Sequence, residues 1–395
     1  MTTAWTPTTL AELEAALESG LLVEGHKVDF KRELSTGSAG NKGFAKDVAA
    51  FAVDGGQILF GVDEVAGAPP QVRPIALDGL KERVDQIARS AVDPPVSVRC
   101  VELPVEGDPS NGCLVVIVPP SPQAPHQAAE RLWGRSDTTN YVLSPGEIRR
   151  LYQRQASRRA DLDRLLDDEI GRDPTPDTLR EQAHLFVVAQ PVGADSELFY
   201  GGLGEEQFST WLHRNVHTFT PGNWQPDLPA GTTSRRARGW ATHPHIISPE
   251  RTVPSNGELE AKEGKLLDVE VQEDGGVRIF CARATDDRQD QRVMLDAVVG
   301  GLALRAVELA ASVSATAGFH GYWDFGVALT NLHGAVSHQA SHNILGNANG
   351  YSEDTYRKTT SASSAQITSP HDVADRLVAP LMRALRSPYT LPSGR

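Results

Sequence analysis

The sequence predicts an α/β domain at the N-terminus followed by an α+β domain at the C-terminus. The chain has 395 residues, which is long for a single domain. Strand and helix patterns alternate through residues 1–160, whereas residues 173–395 combine a hairpin with long helices. The segment GRDPTPD, which begins at Gly171, ends a basic helix, and we place the domain boundary there.

Composition narrows the classes of protein that the chain can belong to. The net charge is −13, but most of the acidity falls after residue 160, so the N-terminal domain can carry a local basic groove. With 39% hydrophobic residues and no apolar run of about 18, the sequence predicts no membrane span. Three widely spaced cysteines and an N-terminus without a signal-peptide pattern predict a cytoplasmic protein with reduced thiols.

The first elements follow from hydrophobic spacing. Leu10, Leu13 and Leu17 after a Thr9 cap predict a helix that Gly20 ends. Residues 26–32 alternate between apolar and charged side chains, as in a half-buried strand. Residues 34–41 have the composition of a loop.

A helix, a tight turn and a buried strand follow this loop. Phe44, Val48 and Phe51 have helical spacing, and Asp54-Gly55-Gly56 turns the chain into residues 57–62, which are apolar on both faces. Further on, the sequence predicts a helix over 77–92, strands over 96–103 and 114–118, and a short hairpin over 131–144. Ser144-Pro145-Gly146-Glu147 is a capping box that opens a helix rich in arginine.

Four acidic side chains lie at the ends of elements that should pack together: Glu24, Asp29, Asp63 and Glu64. Glu24 and Asp29 have opposite parity along the predicted strand, so the chain must bend near Gly25 for both to line one site. Such a group could hold Mg²⁺ or Mn²⁺, which prefer carboxylate oxygens. The alternative is that these residues are solvated strand ends and a turn cap.

Three segments carry a resemblance to a known family. EGHKVDFKREL, KDVAAFAVDGGQILFGVDE and RLWGRSDTTNYVLSPGEIRRLY resemble the Schlafen AlbA_2 domain over roughly residues 20–155. The sequence departs from the family at Val53-Asp54, where the family usually has Asn followed by two residues before Gly-Gly. The turn here is therefore shorter and lacks the amide.

The resemblance implies a function. Schlafen nucleases of this family cleave tRNA or rRNA with a divalent metal held by three carboxylates. It implies Mg²⁺ or Mn²⁺ at Glu24, Asp29 and Asp63, with Glu64 as an alternative third ligand and Lys31 at the phosphate. It also implies an RNA substrate, tRNA above all, with DNA as a second possibility, and a role in antiviral defence. We expect a homo-oligomer.

Basic residues provide candidates for nucleic-acid contact. The helix after Ser144 is the most basic segment, although a solvated helix face would have the same composition. The candidates are Lys27, Arg32, Lys42, Lys46, Arg135, Arg149, Arg150 and Arg154. Two other functions remain open: a non-catalytic DNA- or RNA-binding regulator with a C-terminal sensor domain, and a nucleotide-binding module. The chain lacks a long Gly-Lys phosphate loop, which disfavours the module.

The C-terminal domain contains no recognisable chemical motif. The sequence predicts a strand over 183–192, a helix over 205–216, a long loop over 218–247, a hairpin of 266–271 with 276–282, a helix over 289–315, a strand over 322–332, a loop over 358–366 and a helix over 369–386. His338 and His342 are four residues apart, but Gly and Asn interrupt the helical pattern around them. Ordinary core or loop histidines are therefore favoured over a metal site.

Overall fold

The computed structural model describes residues 6–64, 68–203, 205–217, 232–244, 247, 251–252, 263–288, 291–341 and 350–391. The chain divides into two compact units. The first comprises Met1–Arg158 with His320–Tyr322, and the second comprises Arg159–Phe319 with Trp323–Arg395. Each unit mixes helices with sheets, as the predicted fold classes require.

The first unit follows the predicted alternation of strands and helices. In chain order it contains α1 (Leu10–Glu18), β1 (Val28–Lys31), α2 (Gly37–Phe51), β2 (Gly56–Phe60), β3 (Val62–Asp63), β4 (Gln71–Val72), β5 (Ile75–Ala76), α3 (Leu80–Ser90), β6 (Val92–Asp93), β7 (Arg99–Val105), β8 (Asp108–Val118), β9 (Gln127–Ala128), β10 (Arg131–Arg135), β11 (Asn140–Val142) and α4 (Pro145–Gly171). The residues of α4 are divided between the two units after Arg158.

One sheet organises the first unit. Its strand order is β1-β2-β8-β5, with β7 also paired to β8, and β1 runs parallel to β2. One face of this sheet packs with α1 through residues such as Leu13 and Leu59, and the other packs with α2 and α3. A second, smaller sheet has the order β11-β10-β9-β6. Strand β2 is buried on both faces, as predicted, and its last three residues, Ile58, Leu59 and Phe60, are all apolar.

Several boundaries in this unit differ from the prediction, and the largest shift is in β8, which begins at Asp108 and not at residue 114. Helix α2 begins at Gly37, inside the predicted loop, and the Arg83 guanidinium of α3 donates to the carbonyls of Leu34 and Ser35 just before it. The predicted strand 57–62 breaks at Gly61, where φ is +87°. Neither a distant guanidinium nor a local backbone twist can be read from hydrophobic spacing.

The second unit is built on a larger sheet. Its elements in chain order are β12 (His184–Pro191), α5 (Tyr200–Leu203), α6 (Glu205–His217), β13 (Thr233–Arg236), β14 (Gly239–Thr242), β15 (Leu267–Gln272), β16 (Val277–Cys281), β17 (Thr285–Arg288), β18 (Gln291–Met294), α7 (Asp296–Ala317), β19 (Tyr322–Thr330), β20 (Val336–Ser337), α8 (His338–Ser341), β21 (Tyr356–Ser363) and α9 (Pro370–Ala384).

The seven-stranded sheet of this unit has two unlike faces. Its order is β13-β14-β15-β16-β12-β19-β21. Alternate residues such as Leu267, Val269 and Val271 pack with α6, α7 and α9 in the main core. Their neighbours Asp268 and Glu270 point to the opposite face, where they are buried. Helix α7 is long and apolar enough to cross a membrane, but 72% of its most apolar window is buried, which is the pattern of a core helix.

Three predictions for the second unit are wrong. Strands β13 and β14 lie within the predicted loop 218–247, of which residues 218–231 are outside the described part of the chain. Strand β18 and the start of α7 divide the predicted helix 289–315. Strand β21 covers most of the predicted loop 358–366. The strands owe their conformation to pairing with distant partners in the sheet, which composition does not reveal.

Two histidines of this unit lie in side-chain networks. His184 is fully buried, with Nδ1 2.6 Å from Asp173 Oδ2 and Nε2 2.8 Å from Glu263 Oε1. Burial lowers the pKa of His184, but the two carboxylates outweigh it and the net direction is upward. His338 lies in α8 with Nε2 2.6 Å from Arg288 Nη1, and His342 is outside the described residues.

Candidate carboxylate cluster and nucleic-acid interface

A tight turn brings Glu24 back to the first strand. The amide of Gly25 donates to the carbonyl of Val28 at 2.9 Å, so the chain folds over itself just before β1. The bend that the sequence requires at Gly25 is therefore present. A side chain there would also crowd Asp137, since an added Cβ would lie 3.2 Å from its carboxylate.

Asp29 is the buried centre of the cluster. Its side chain leaves β1 on the α2 side, and the residue is 5% exposed. Lys31 Nζ lies 2.7 Å from Asp29 Oδ2, and Arg135 Nη2 lies 3.1 Å from Oδ1. Two cations thus balance the charge of this carboxylate inside the domain.

Arg135 also holds the turn that precedes β1. Its guanidinium donates from Nε and Nη2 to the carbonyl of Gly25, both at 3.2 Å, and its plane stacks 4.4 Å from the ring of Phe51. The side chain is only 3% exposed. Arg135 is predicted from the sequence to contact nucleic acid; in the structure its enclosed guanidinium positions Asp29 and the Gly25 turn.

The third carboxylate that joins Glu24 and Asp29 is Glu64. Glu64 and Asp29 are the two carboxyl neighbours that act on Glu24. Burial, followed by these two carboxyl neighbours, raises the pKa of Glu24 to about 7. Asp63 belongs to β3 and lies opposite Gln71 in the register with β4. Asp63 is not among the groups that shift the pKa of Glu24, so the choice between Asp63 and Glu64 as a third ligand stays a prediction.

Asp47 and Asn140 belong to the site and were missed from the sequence. Asp47 Oδ2 lies 3.2 Å from Lys31 Nζ, and its Oδ1 accepts from Asn140 Nδ2 at 2.6 Å. Burial raises the pKa of Asp47, while Lys31 opposes that shift. Asp47 follows Phe44 by three residues and precedes Phe51 by four, so a charge on the core face of α2 was the available signal.

The carboxylates match a divalent cation in chemistry but not in arrangement. Glu24, Asp29 and Glu64 supply the oxygen donors that Mg²⁺ and Mn²⁺ prefer. A cation would also relieve the repulsion that raises the pKa of Glu24. However, Lys31 and Arg135 already occupy the oxygens of Asp29. Within the described part of the chain, no three His, Cys, Asp or Glu side chains have the arrangement of a metal site.

Several basic candidates have local partners. Lys27 Nζ donates to the carbonyls of Asp54 and Gly55, at 2.5 and 3.3 Å, and so ties the Gly-Gly turn to β1. Lys46 Nζ lies 5.0 Å from the centre of the Trp133 ring. Arg32 is exposed and donates to the Arg73 carbonyl at 3.0 Å. Lys42 is exposed on α2.

The arginines of α4 face solvent. Arg149 and Arg150 are exposed, and Arg154 is 58% exposed with Nη1 3.7 Å from Asp54 Oδ1. His26 Nε2 lies 3.4 Å from the other Asp54 oxygen. Asp54 therefore has both His26 and Arg154 as neighbours.

The capping box of α4 forms as predicted, and its Glu147 also binds the hydroxyl of Tyr141. Glu147 Oε2 accepts from the Ser144 amide at 2.8 Å and from its hydroxyl at 2.7 Å. The other oxygen, Oε1, accepts from Tyr141 Oη at 2.7 Å. The Ser144 hydroxyl and amide and the Tyr141 hydroxyl lower the pKa of Glu147 to about 2. A carboxylate that stays ionised therefore fixes Tyr141 against the start of the helix.

Comparisons with known proteins agree with the resemblance for the first unit. A family model described as Schlafen, AlbA_2 matches residues 24–144. No curated protein matches the chain significantly. The crystal structure of the DIP2311 protein from Corynebacterium diphtheriae is similar at 17% identity over 34% of this chain, with a TM-score of 0.23. The similar part spans 30% of that protein, and a score this low does not define a shared fold. Residues 24–144 of this chain are therefore similar to the Schlafen AlbA_2 domain.

Proposed function

We propose that the first unit is an RNA-binding domain, with tRNA as the favoured partner and DNA as the alternative. The observation that carries this proposal is the exposed arginine face of α4, formed by Arg149, Arg150 and Arg154. Guanidinium groups on a solvent-facing helix suit contact with phosphates, because each contact releases counterions from the nucleic acid. The cytoplasmic location expected from the sequence would place the protein among such partners.

Replacing Arg149 and Arg150 together with alanine should weaken tRNA binding and reduce its salt dependence. Two lost phosphate contacts should lower the slope of log K against log salt by about two. Fluorescence anisotropy with labelled tRNA at several salt concentrations measures both quantities. Alanine at Lys81 and Arg89, two exposed basic residues on α3, is the matched control and should change neither. An unchanged slope in the α4 variant would remove this face from the binding site.

A second candidate function is metal-dependent endoribonuclease activity. It is favoured by the raised pKa of Glu24 beside Asp29 and Glu64, since carboxyl groups with a perturbed pKa are typical of catalytic sites. A metal ion there would require Asp29 to give up its contacts with Lys31 and Arg135. Mg²⁺ or Mn²⁺ would supply a polarised water at such a cluster. Lys31 holds Asp29 in place and is the nearby cation for a phosphate. Cleavage of RNA would agree with the role in antiviral defence that the resemblance implies.

Cleavage should depend on Glu64 and not on Asp63. With tRNA and Mn²⁺ or Mg²⁺, we expect Asp29→Asn and Glu64→Gln to abolish cleavage, because each removes a carboxylate that interacts with Glu24. Asp63→Asn is the matched control, one residue away, and should cleave like the parent. Calorimetric titration with Mn²⁺ alone gives a readout independent of activity, and Glu64→Gln should bind Mn²⁺ more weakly.

The possible outcomes separate the two candidate functions. Intact tRNA over a wide range of protein concentration, combined with normal binding, would eliminate the nuclease and favour a regulator whose second unit acts as the sensor. Loss of cleavage in Asp63→Asn but not in Glu64→Gln would restore the ligand set first assigned from the sequence.

A further inference from the structure

Asp54 is a carboxylate in a position that local electrostatics disfavour. It lies in the turn that follows α2, two residues after the C-cap Ala52, and its amide donates to the carbonyl of Phe51 at 3.2 Å. The C-terminal end of a helix carries a partial negative charge, so an acidic side chain beside it opposes the helix dipole. The stability of α2 therefore gives no reason for an acidic residue at this position.

The backbone around Asp54 is held in one conformation. The Gly55 amide donates to the Phe51 carbonyl at 2.6 Å, and Gly55 has a φ of +79°. A Cβ added at Gly55 would lie 2.7 Å from Pro120 Cδ, so glycine is needed in the turn. Lys27 Nζ donates to the carbonyls of both Asp54 and Gly55. Because the turn is fixed, the Asp54 carboxylate stays beside its neighbours at little cost in conformational entropy.

The Asp54 carboxylate faces two basic side chains. Its Oδ1 lies 3.7 Å from Arg154 Nη1, and its Oδ2 lies 3.4 Å from His26 Nε2. The Arg154, Asp54 and His26 side chains are 58%, 43% and 41% exposed. Both distances are longer than that of a good hydrogen bond, and ion pairs that are this exposed to solvent are weak. A stronger anion can therefore take the place of the carboxylate.

We propose that Asp54 is an internal substitute for a phosphate: it pairs with Arg154 in the free protein, and a phosphate of the nucleic acid displaces it on binding. This inference rests on the proposed function and adds a contact that restrains it. A carboxylate and a phosphate present the same kind of oxygen acceptor to a guanidinium group. A polyanion that also contacts Arg149 and Arg150 can offset the cost of displacing Asp54, whereas a free phosphate ion makes a single contact.

The test is a double-variant cycle on tRNA affinity, measured by fluorescence anisotropy at low salt. Asp54→Asn keeps the shape of the side chain and removes its charge, and it should tighten binding about threefold to fivefold, the range of one exposed ion pair. In the Arg154→Ala background the same change should alter affinity by less than about twofold, because the cation for which Asp54 competes is gone.

Asp85 provides the matched control for the loss of one negative charge. It pairs with Arg89 on α3 at 2.9 Å, and the two side chains are 39% and 64% exposed. We expect Asp85→Asn to change tRNA affinity by less than about twofold. An equal gain in Asp85→Asn, or an equal gain from Asp54→Asn with and without Arg154, would assign the effect to net charge and overturn the inference.

The remaining outcomes separate this inference from the function on which it rests. If the parent protein binds tRNA and Asp54→Asn binds no more tightly, Asp54 does not compete with phosphate, and the binding proposal stays intact. Failure of the parent protein to bind tRNA would instead remove the proposed function.

Discussion

Replacing Arg135 with alanine should lower the free energy of unfolding of the first unit by about 3–5 kcal/mol. The reason is burial: the Arg135 side chain is 3% exposed, and its removal leaves the buried Asp29 carboxylate with Lys31 as its neighbouring cation. The Gly25 carbonyl loses two donors in the same change. Urea denaturation combined with hydrogen exchange of the β1 and β10 amides measures the loss and assigns it to the first unit.

Two controls make the Arg135 prediction specific. Arg131→Ala, on the exposed end of the same strand, should change stability by no more than about 0.5 kcal/mol. Adding Asp29→Asn to Arg135→Ala removes the uncompensated charge and should restore part of the loss. If Arg135→Ala were as stable as Arg131→Ala, the guanidinium would not be supporting the turn, and a direct role at the surface would again be open.

The example of Arg135 shows which parts of the site could be predicted from the sequence. The need for a bend at Gly25 followed from strand parity, and the structure has that bend. The resemblance supplied Glu24 and Asp29 as candidate ligands, and that role stays a prediction. The choice between Asp63 and Glu64 did not follow. Both residues follow Gly61, whose φ of +87° separates β2 from β3. A single backbone angle in the left-handed region is invisible to a pattern of apolar residues.

The role of a charged residue in this protein depends on whether its side chain is buried. Arg135 and Arg149 are both arginines near acidic motifs, yet the first is enclosed and the second faces solvent. The apolar spacing of α2 predicts a core-facing helix and gives no role to Asp47, which lies among those apolar residues. An unpaired carboxylate at such a buried position would strongly destabilise the fold. A charged residue on the core face of an otherwise regular helix is therefore the better indicator of a site than a basic run.

The same rule applies to the second unit, where the sequence revealed no site. Alternate strand residues place Arg236, Asp268 and Glu270 on one face of the large sheet, each less than 10% exposed. Arg236 Nη1 and Nη2 lie 2.9 and 2.5 Å from the two Asp268 oxygens, and Nη1 is also 2.9 Å from Glu270 Oε2. Asp268 and Glu270 follow Arg236 by 32 and 34 residues in the sequence, and the pairing of strands in the sheet brings the three side chains together.

Arg236→Met should therefore destabilise the second unit by about 3–5 kcal/mol, because it removes the cation bonded to both oxygens of a carboxylate that is 1% exposed. Glu270 keeps its contact with Arg172 Nη2 at 3.1 Å, so the main cost comes from Asp268. Urea denaturation with hydrogen exchange of the β14 and β15 amides measures the change.

The neighbouring Arg235 provides the matched control for Arg236. It pairs with Glu273 at 2.5 Å, but the two side chains are 37% and 26% exposed. Solvent screens such a pair, so Arg235→Ala should cost no more than about 1 kcal/mol. The double change Arg236→Met with Asp268→Leu replaces the buried pair by apolar groups and should recover most of the stability. If the double variant were as unstable as Arg236→Met alone, the loss would come from packing, and the buried charges would not be the reason that this face of the sheet needs arginine.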